Sequence, residues 1–200
     1  MEERIRSYRW DIENYITKDT RFLTALKPMP IELNAPLIVK EMSEAASAAG
    51  TGPMAAVAGA IAQLIGLDLL KEGYKDVIVE NGGDIFMHSR KGRMVRIYTG
   101  LPKIWKKLAI KIPPSLMPLG ICTSSGVIGH SLSFGCADCV VILAKSTALA
   151  DAVATAAANR VKTHQDLPAA LDFARGIRGV KGAIIIIRNK LASWGSVKFA

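Results

Sequence analysis

Two stretches of this chain are made of residues too small to hold a helix away from its neighbour. Residues 53–71 read PMAAVAGAIAQLIGLDLLK and residues 148–161 read ALADAVATAAANRV. Alanine and glycine at helical spacing let a second backbone approach within close packing distance. Both stretches are therefore expected as helices buried on several faces, and any polar group they carry is drawn inward with them. In the second, Asp151, Thr155 and Asn159 recur at i, i+4 and i+8 and share one side. A buried carboxylate costs several kcal/mol unless something neutralises it, so a hard cation with oxygen ligands is a fitting partner for Asp151 and Thr155. The plainer alternative is an aspartate that caps a helix or faces solvent.

Around these helices the punctuation gives one domain over residues 1–200, since about 100 to 200 residues is the usual span of a single core. A helix is expected from Tyr8 to about Leu26, broken by KPMPIELNAP, and a second over APLIVKEMSEAASAA, ended by Gly50. The third runs from Pro53 to about Lys71. Then the period shortens to that of strands: DVIVE, DIFMHS, MVRIYTG and KLAIKI, a largely antiparallel meander. Residues Pro113 to Gly135 read as a long loop. The buried strand CVVILA follows, then helices from Thr147 to Val161 and from Pro168 to Ala174, and the strands GAIIIIR and LASWGSVKF. The class is α/β (α+β), a mainly antiparallel sheet packed with alanine-rich helices. A helix followed by paired strands recurs at 53–90 and 147–198, which suggests an internal duplication.

Composition narrows the function classes. Half the residues are hydrophobic and 22% are charged, a balance that supports a large core and excludes disorder. The net charge of +9 is scattered, aromatics are 6%, and no strand interleaves them with basic residues, so no nucleic-acid surface is expected. Met54 to Leu70 carries Gln63 and Asp68 among small residues, so no membrane span is expected, and the mixed-charge N-terminus lacks the apolar centre of a secretory signal. The expected location is cytoplasmic. Exposed strand edges suit a homo-oligomer.

Two further segments look like parts of a site. Glu80-Asn81-Gly82-Gly83-Asp84 lies between strands; it is a hairpin turn in the plain reading, but glycines also bare backbone N–H groups to a ligand. Two carboxylates beside that bend repel unless exposed or balanced by a cation. GICTSSGVIGHSLSFG, from Gly120 to Gly135, sets Thr123, Ser124 and Ser125 among glycines and His130, as an anion loop would, although P-loop spacing is absent. His130 with Ser124 or Ser125 could activate a nucleophile, or could be structural. Cys136-x-x-Cys139, with Cys122 and His130, could be drawn as a zinc site, but the spacing runs into a hydrophobic strand. Cys122 is a candidate reactive thiol.

Taken together, GPMAAVAGAIAQ, VENGGDIF, GICTSSGVIGHSLSFG and ALADAVATAAAN, in that order and spacing, resemble the small UPF-type branch of the ApbE-like superfamily over about residues 8–198. The better-known members are Mg-dependent flavin transferases that split FAD and attach FMN to a threonine of an acceptor protein. The resemblance implies Asp151 and Thr155 as Mg ligands. It implies Asn81, Gly82, Gly83, Asp84, Thr123, Ser124 and Gly126 as the lining of a pocket for FAD, FMN or another small phosphate-bearing ligand. Ser125, His130 and Cys122 are the candidate catalytic groups. The Lys-Gly-Tyr and Asp of those members are missing near Ala55 to Gly59, as is their Asp-Pro after the histidine, which points to a smaller ligand or a different reaction. The branch is also linked with sulfide assimilation, which would give Cys122 a sulfur-carrying role.

Overall fold

The computed structural model describes residues 1–99, 105, 107–125 and 135–200. At its centre is an antiparallel six-stranded sheet. Its order is β1 (Val77–Asn81), β2 (Asp84–His88), β5 (Leu119–Ser124), β6 (Cys139–Ala144), β7 (Val180–Ile187) and β8 (Lys190–Gly195). Strands β3 (Arg93–Arg96) and β4 (Ala109–Ile112) pair with each other as a separate ribbon. The helices are α1 (Glu2–Lys18), α2 (Arg21–Thr24), α3 (Leu37–Ala49), α4 (Val57–Lys71), α5 (Thr147–Arg160) and α6 (Leu167–Gly176).

The sheet is covered on both faces, which explains why its middle strands are unbroken apolar runs. In β6, Val140, Ile142 and Ala144 belong to the core shared with the helices, whereas Cys139, Val141 and Leu143 belong to the core under the ribbon. In β7, Ala183 and Ile185 face the helices, and Ile184 and Ile186 face the other way. With period-2 alternation and both faces buried, residues 139–144 and 182–187 leave no position for a polar residue, and the one charged side chain of these two strands, Lys181, sits near the start of β7 where burial is incomplete.

Helices α4 and α5 meet at their N-termini, and each supplies an acceptor that the other lacks. The first N–H groups of a helix have no partner within it. Gln63 of α4, 7% exposed, accepts from the N–H groups of Thr147 (2.6 Å) and Ala148 (3.3 Å) at the start of α5. Asp151 of α5 accepts through Oδ2 from the N–H of Gly59 at the start of α4 (2.9 Å). The contact needs glycine: a Cβ on Gly59 would lie 2.4 Å from the carbonyl oxygen of Thr147. The small residues of both helices are thus buried as expected. Residues Pro53–Lys71 are long and apolar enough to cross a membrane by length and composition, with a mean hydropathy of 1.7, and half of that span is buried within this fold.

Several expectations are corrected. The long loop from Pro113 contains β5, a central strand. Gly120 lies in that strand because the start of α5 crosses it so closely that a Cβ there would sit 2.5 Å from Thr147 Cα. The meander is interrupted, since β2 pairs with β5 and not with β3. The first helix begins at Glu2, where acidic residues favour a helix start, and stops at Lys18 before the short α2. The last strand ends at Gly195 (φ +83°), after which Phe199 bridges Ile110 of β4. The two helix-and-hairpin units are not equivalent in the sheet: β1 follows α4 at an edge, whereas β7 lies one strand in from the edge.

Replacing Gln63 by Leu leaves the Thr147 and Ala148 N–H groups buried without an acceptor. It is expected to cost about 1–3 kcal/mol, read as a lower denaturant midpoint at unchanged m-value. A midpoint equal to that of the wild type would show that the cross-helix cap contributes nothing.

Candidate functional site

A cleft of about 550 Å³ opens where the β1–β2 turn, the C-terminal end of β5 and the side of α5 come together. It brings together Asn81, Gly82, Gly83, Asp84, Thr123, Ser124, Ser125, Asp151 and Thr155, so three separate sequence segments converge as expected. Gly126 and His130 lie outside the described residues.

The hairpin reading of Asn81 to Asp84 holds. Gly82 (φ +64°) and Gly83 (φ +101°) make the tight two-residue turn between β1 and β2, a left-handed geometry that suits glycine. The same turn forms one wall of the cleft. Asn81 donates through Nδ2 to the carbonyl of Ala58 (3.2 Å), which ties the hairpin to the start of α4. Thr123 donates through Oγ1 to the carbonyl of Gly83 (3.2 Å), which fixes the turn against β5.

The floor holds two acids. Asp84, 6% exposed, is buried, and its Oδ1 has no hydrogen-bond partner among the described residues. Burial pushes its carboxyl up to about 6, with the Cys122 thiol and the Thr123 N–H pulling the other way. Asp151 keeps part of its surface open to the cleft. It too is raised well above the usual carboxylate range, first by burial and then by the charge of Asp84, against the N–H groups of Gly59 and Ala58. Its Oδ2 caps α4, so the plainer reading of this aspartate is also realised. Two adjoining acids that destabilise each other's charged form, with one carboxylate oxygen unpartnered, make a donor set suited to a divalent cation. Thr155, one turn along α5, adds a hydroxyl on the same wall. Asn159 lies further along, beside Gly135.

Cys122 adjoins the acids without lining the cleft. It is 0% exposed on the helix side of β5, and its Sγ donates to the Thr147 carbonyl (3.3 Å). Burial and the nearby Asp84 and Asp151 push the thiol well above its usual range, so the thiolate needed by a nucleophile or persulfide carrier is disfavoured. Cys139 is also buried, in the opposite core, and Cys136 is exposed, so the CxxC pair points apart. Among the described residues no cluster of three or more His, Cys, Asp or Glu forms.

Sequence reasoning missed the far half of the cleft. Val95, Arg96, Ile97 and Tyr98 of the ribbon line it together with Ile85, Ile121 and Val141 of the sheet. Nothing in their local pattern marks them, because the ribbon reaches the cleft only by leaving the main sheet. Gln63 did carry a signal, as a lone amide in an apolar helix.

The arrangement of sheet and helices is ApbE-like. The apo crystal structure of the flavinyl transferase ApbE from Pseudomonas stutzeri superposes with a TM-score of 0.51 at 19% identity, covering 71% of this chain and 50% of that one. The likeness is one of fold and spans half the transferase. The chain belongs to the family described as AbpE bacteria, whose model matches residues 1–192. A UPF0280 protein of Methanocaldococcus jannaschii is 38% identical over 201 residues, 98% of this chain and 81% of its own length. One from Methanocella arvoryzae is 40% identical over 187 residues, 94% and 76% of the two lengths.

The acids predict how stability depends on pH. An aspartate titrates near about 4 in the unfolded chain, and Asp84 near 6 in the fold. The folded state binds more protons between those values, so stability is greatest on the acid side and falls as pH rises through the window. The fall is about 1.4 kcal/mol for each unit of separation. Metal-free protein should therefore melt lower at pH 6.5 than at pH 4.5, and Asp84→Asn should flatten the difference. Melting that rises across this window in the wild type and is unchanged by Asp84→Asn would contradict it.

Proposed function

We propose that the cleft binds a phosphate-bearing ligand, FAD or FMN, together with Mg, and that the chain is a flavin transferase acting on an acceptor protein. The observation that carries this is the pair of adjoining acids, Asp84 buried with one oxygen unpartnered among the described residues and Asp151 partly open beside it, on the floor of a cleft walled by a glycine turn and hydroxyls. The fold shared with a flavinyl transferase supports it.

In this reading Asp151 and Thr155 hold the cation and Asp84 supplies a further oxygen. A divalent cation there would screen phosphate charge and polarise the bond that breaks. The turn at Gly82 and Gly83 offers backbone N–H groups to phosphate oxygens. Thr123 keeps the turn in place, and Ser124 and Ser125 line the wall next to it. In the transfer, an acceptor hydroxyl attacks the FMN phosphorus of FAD, the pyrophosphate bond breaks, AMP leaves, and the hydroxyl proton passes to a base. His130 is the candidate for that base. Asn81 and Gln63 act at one remove, by fixing the hairpin and the two helix starts around the acids.

Thermal melting with FAD, FMN and ATP, each with and without Mg, tests the reading. At 100 times its dissociation constant a ligand adds about 2.7 kcal/mol. An Mg-dependent rise with FAD that Asp151→Ala abolishes is the expected result. No shift with any nucleotide would sink the flavin assignment.

A further inference from the structure

The cleft has two ends with different chemistry. The acids and the glycine turn occupy one end, which a cation and a phosphate would satisfy. The other end lies against the ribbon, where partly buried Ile85 and the buried Ile97, Ile121 and Val141 line the cleft with an apolar surface. A phosphate has no use for that surface, whereas a planar ring does.

Arg96 and Tyr98 belong to this second end. They alternate with Val95 and Ile97, which pack towards the core under the ribbon. Arg96 is exposed and Tyr98 is 82% exposed. Neither side chain makes a hydrogen bond, ion pair or ring contact with any described residue. Arg96 is the one cation among the described residues lining the cleft, and it pairs with none of the acids there, Glu80, Asp84 and Asp151. Other arginines of the chain do find carboxylates: Arg4 with Glu72, Arg21 with Asp19, Arg90 with Asp76. A free guanidinium fork next to a free phenol ring, at the mouth of an apolar slot, suits an anionic group attached to an aromatic one.

We propose that Arg96 and Tyr98 form a recognition pair that sets the ligand class. Tyr98 stacks on a planar ring seated against the ribbon, and Arg96 takes an anionic oxygen that the acid end does not reach. The ligand is then an aromatic nucleotide and not a simple phosphate. The inference rests on the cleft being the ligand site, as proposed above, and assigns work to residues outside the four sequence segments that resemble the superfamily.

Calorimetric titration of FAD, ADP and inorganic pyrophosphate, each with Mg, into wild type, Arg96→Ala, Tyr98→Ala, Tyr98→Phe and Asp151→Ala tests the pair. Both positions are exposed, so the variants should melt as the wild type does. Arg96→Ala should weaken FAD and ADP about tenfold, a change of about 1.4 kcal/mol. Tyr98→Ala should weaken FAD and ADP by a similar factor and leave pyrophosphate unchanged, and Tyr98→Phe should restore both nucleotides. If Asp151→Ala abolishes binding while Arg96→Ala and Tyr98→Ala bind like wild type, the pair has no recognition role and the cation site stands. If Tyr98→Ala weakens pyrophosphate as much as FAD, the stacking assignment is overturned. If wild type binds none of the three probes, the pair falls together with the ligand site it depends on.

Discussion

The reciprocal capping of α4 and α5 is the constraint from which the rest of the structure follows. Gln63 answers the open N–H groups at the start of α5, and Asp151 answers one at the start of α4. Two helix starts can share acceptors in this way only if their backbones nearly touch, and the missing side chain at Gly59 allows it. With α5 fixed, Gly120 brings β5 under it, and with α4 fixed, the Ala58 carbonyl holds the β1–β2 hairpin through Asn81. Asp84, just past the hairpin turn, is thereby delivered next to Asp151.

Asp151 belongs to both the architecture and the chemistry. One carboxylate oxygen is occupied by a helix start, yet the group still faces a cleft and a second acid. Asp84 has no comparable partner on Oδ1 among the described residues. The fold thus places one acid by tethering it and the other by position in a strand, and their burial and mutual repulsion are only partly offset by the N–H groups of Gly59, Ala58 and Thr123 and the Cys122 thiol.

Much of this was legible from residue size and spacing. The alanines of residues 148–161 announce a helix in close contact, and the i, i+4 repeat of Asp151 and Thr155 places both on one wall. The Asn-Gly-Gly-Asp run was legible as a turn, and the structure puts that turn on the wall of the cleft. What could not be read depends on contacts far apart in sequence. Gly120 looks like loop punctuation until the start of α5 is laid across it, and Cys122 looks available until β5 is seen as a central strand with one face under helices. The ribbon's share of the cleft was illegible for the same reason: strands at 93–96 and 109–112 give no sign that they will leave the sheet and lie over its other face.

The contacts that join α4 to α5 bridge 92 residues between Gly59 and Asp151 and 84 between Gln63 and Thr147. Closing loops of that size costs chain entropy before the contacts return anything, which slows folding. During synthesis the hairpin that bears Asp84 emerges well before the helix that bears Asp151, so the two acids cannot oppose each other until α5 has been made. The acid pair therefore exists only where segments far apart in sequence have met, and a chain that stops before α5 would lack both Asp151 and the acceptor for the Gly59 N–H.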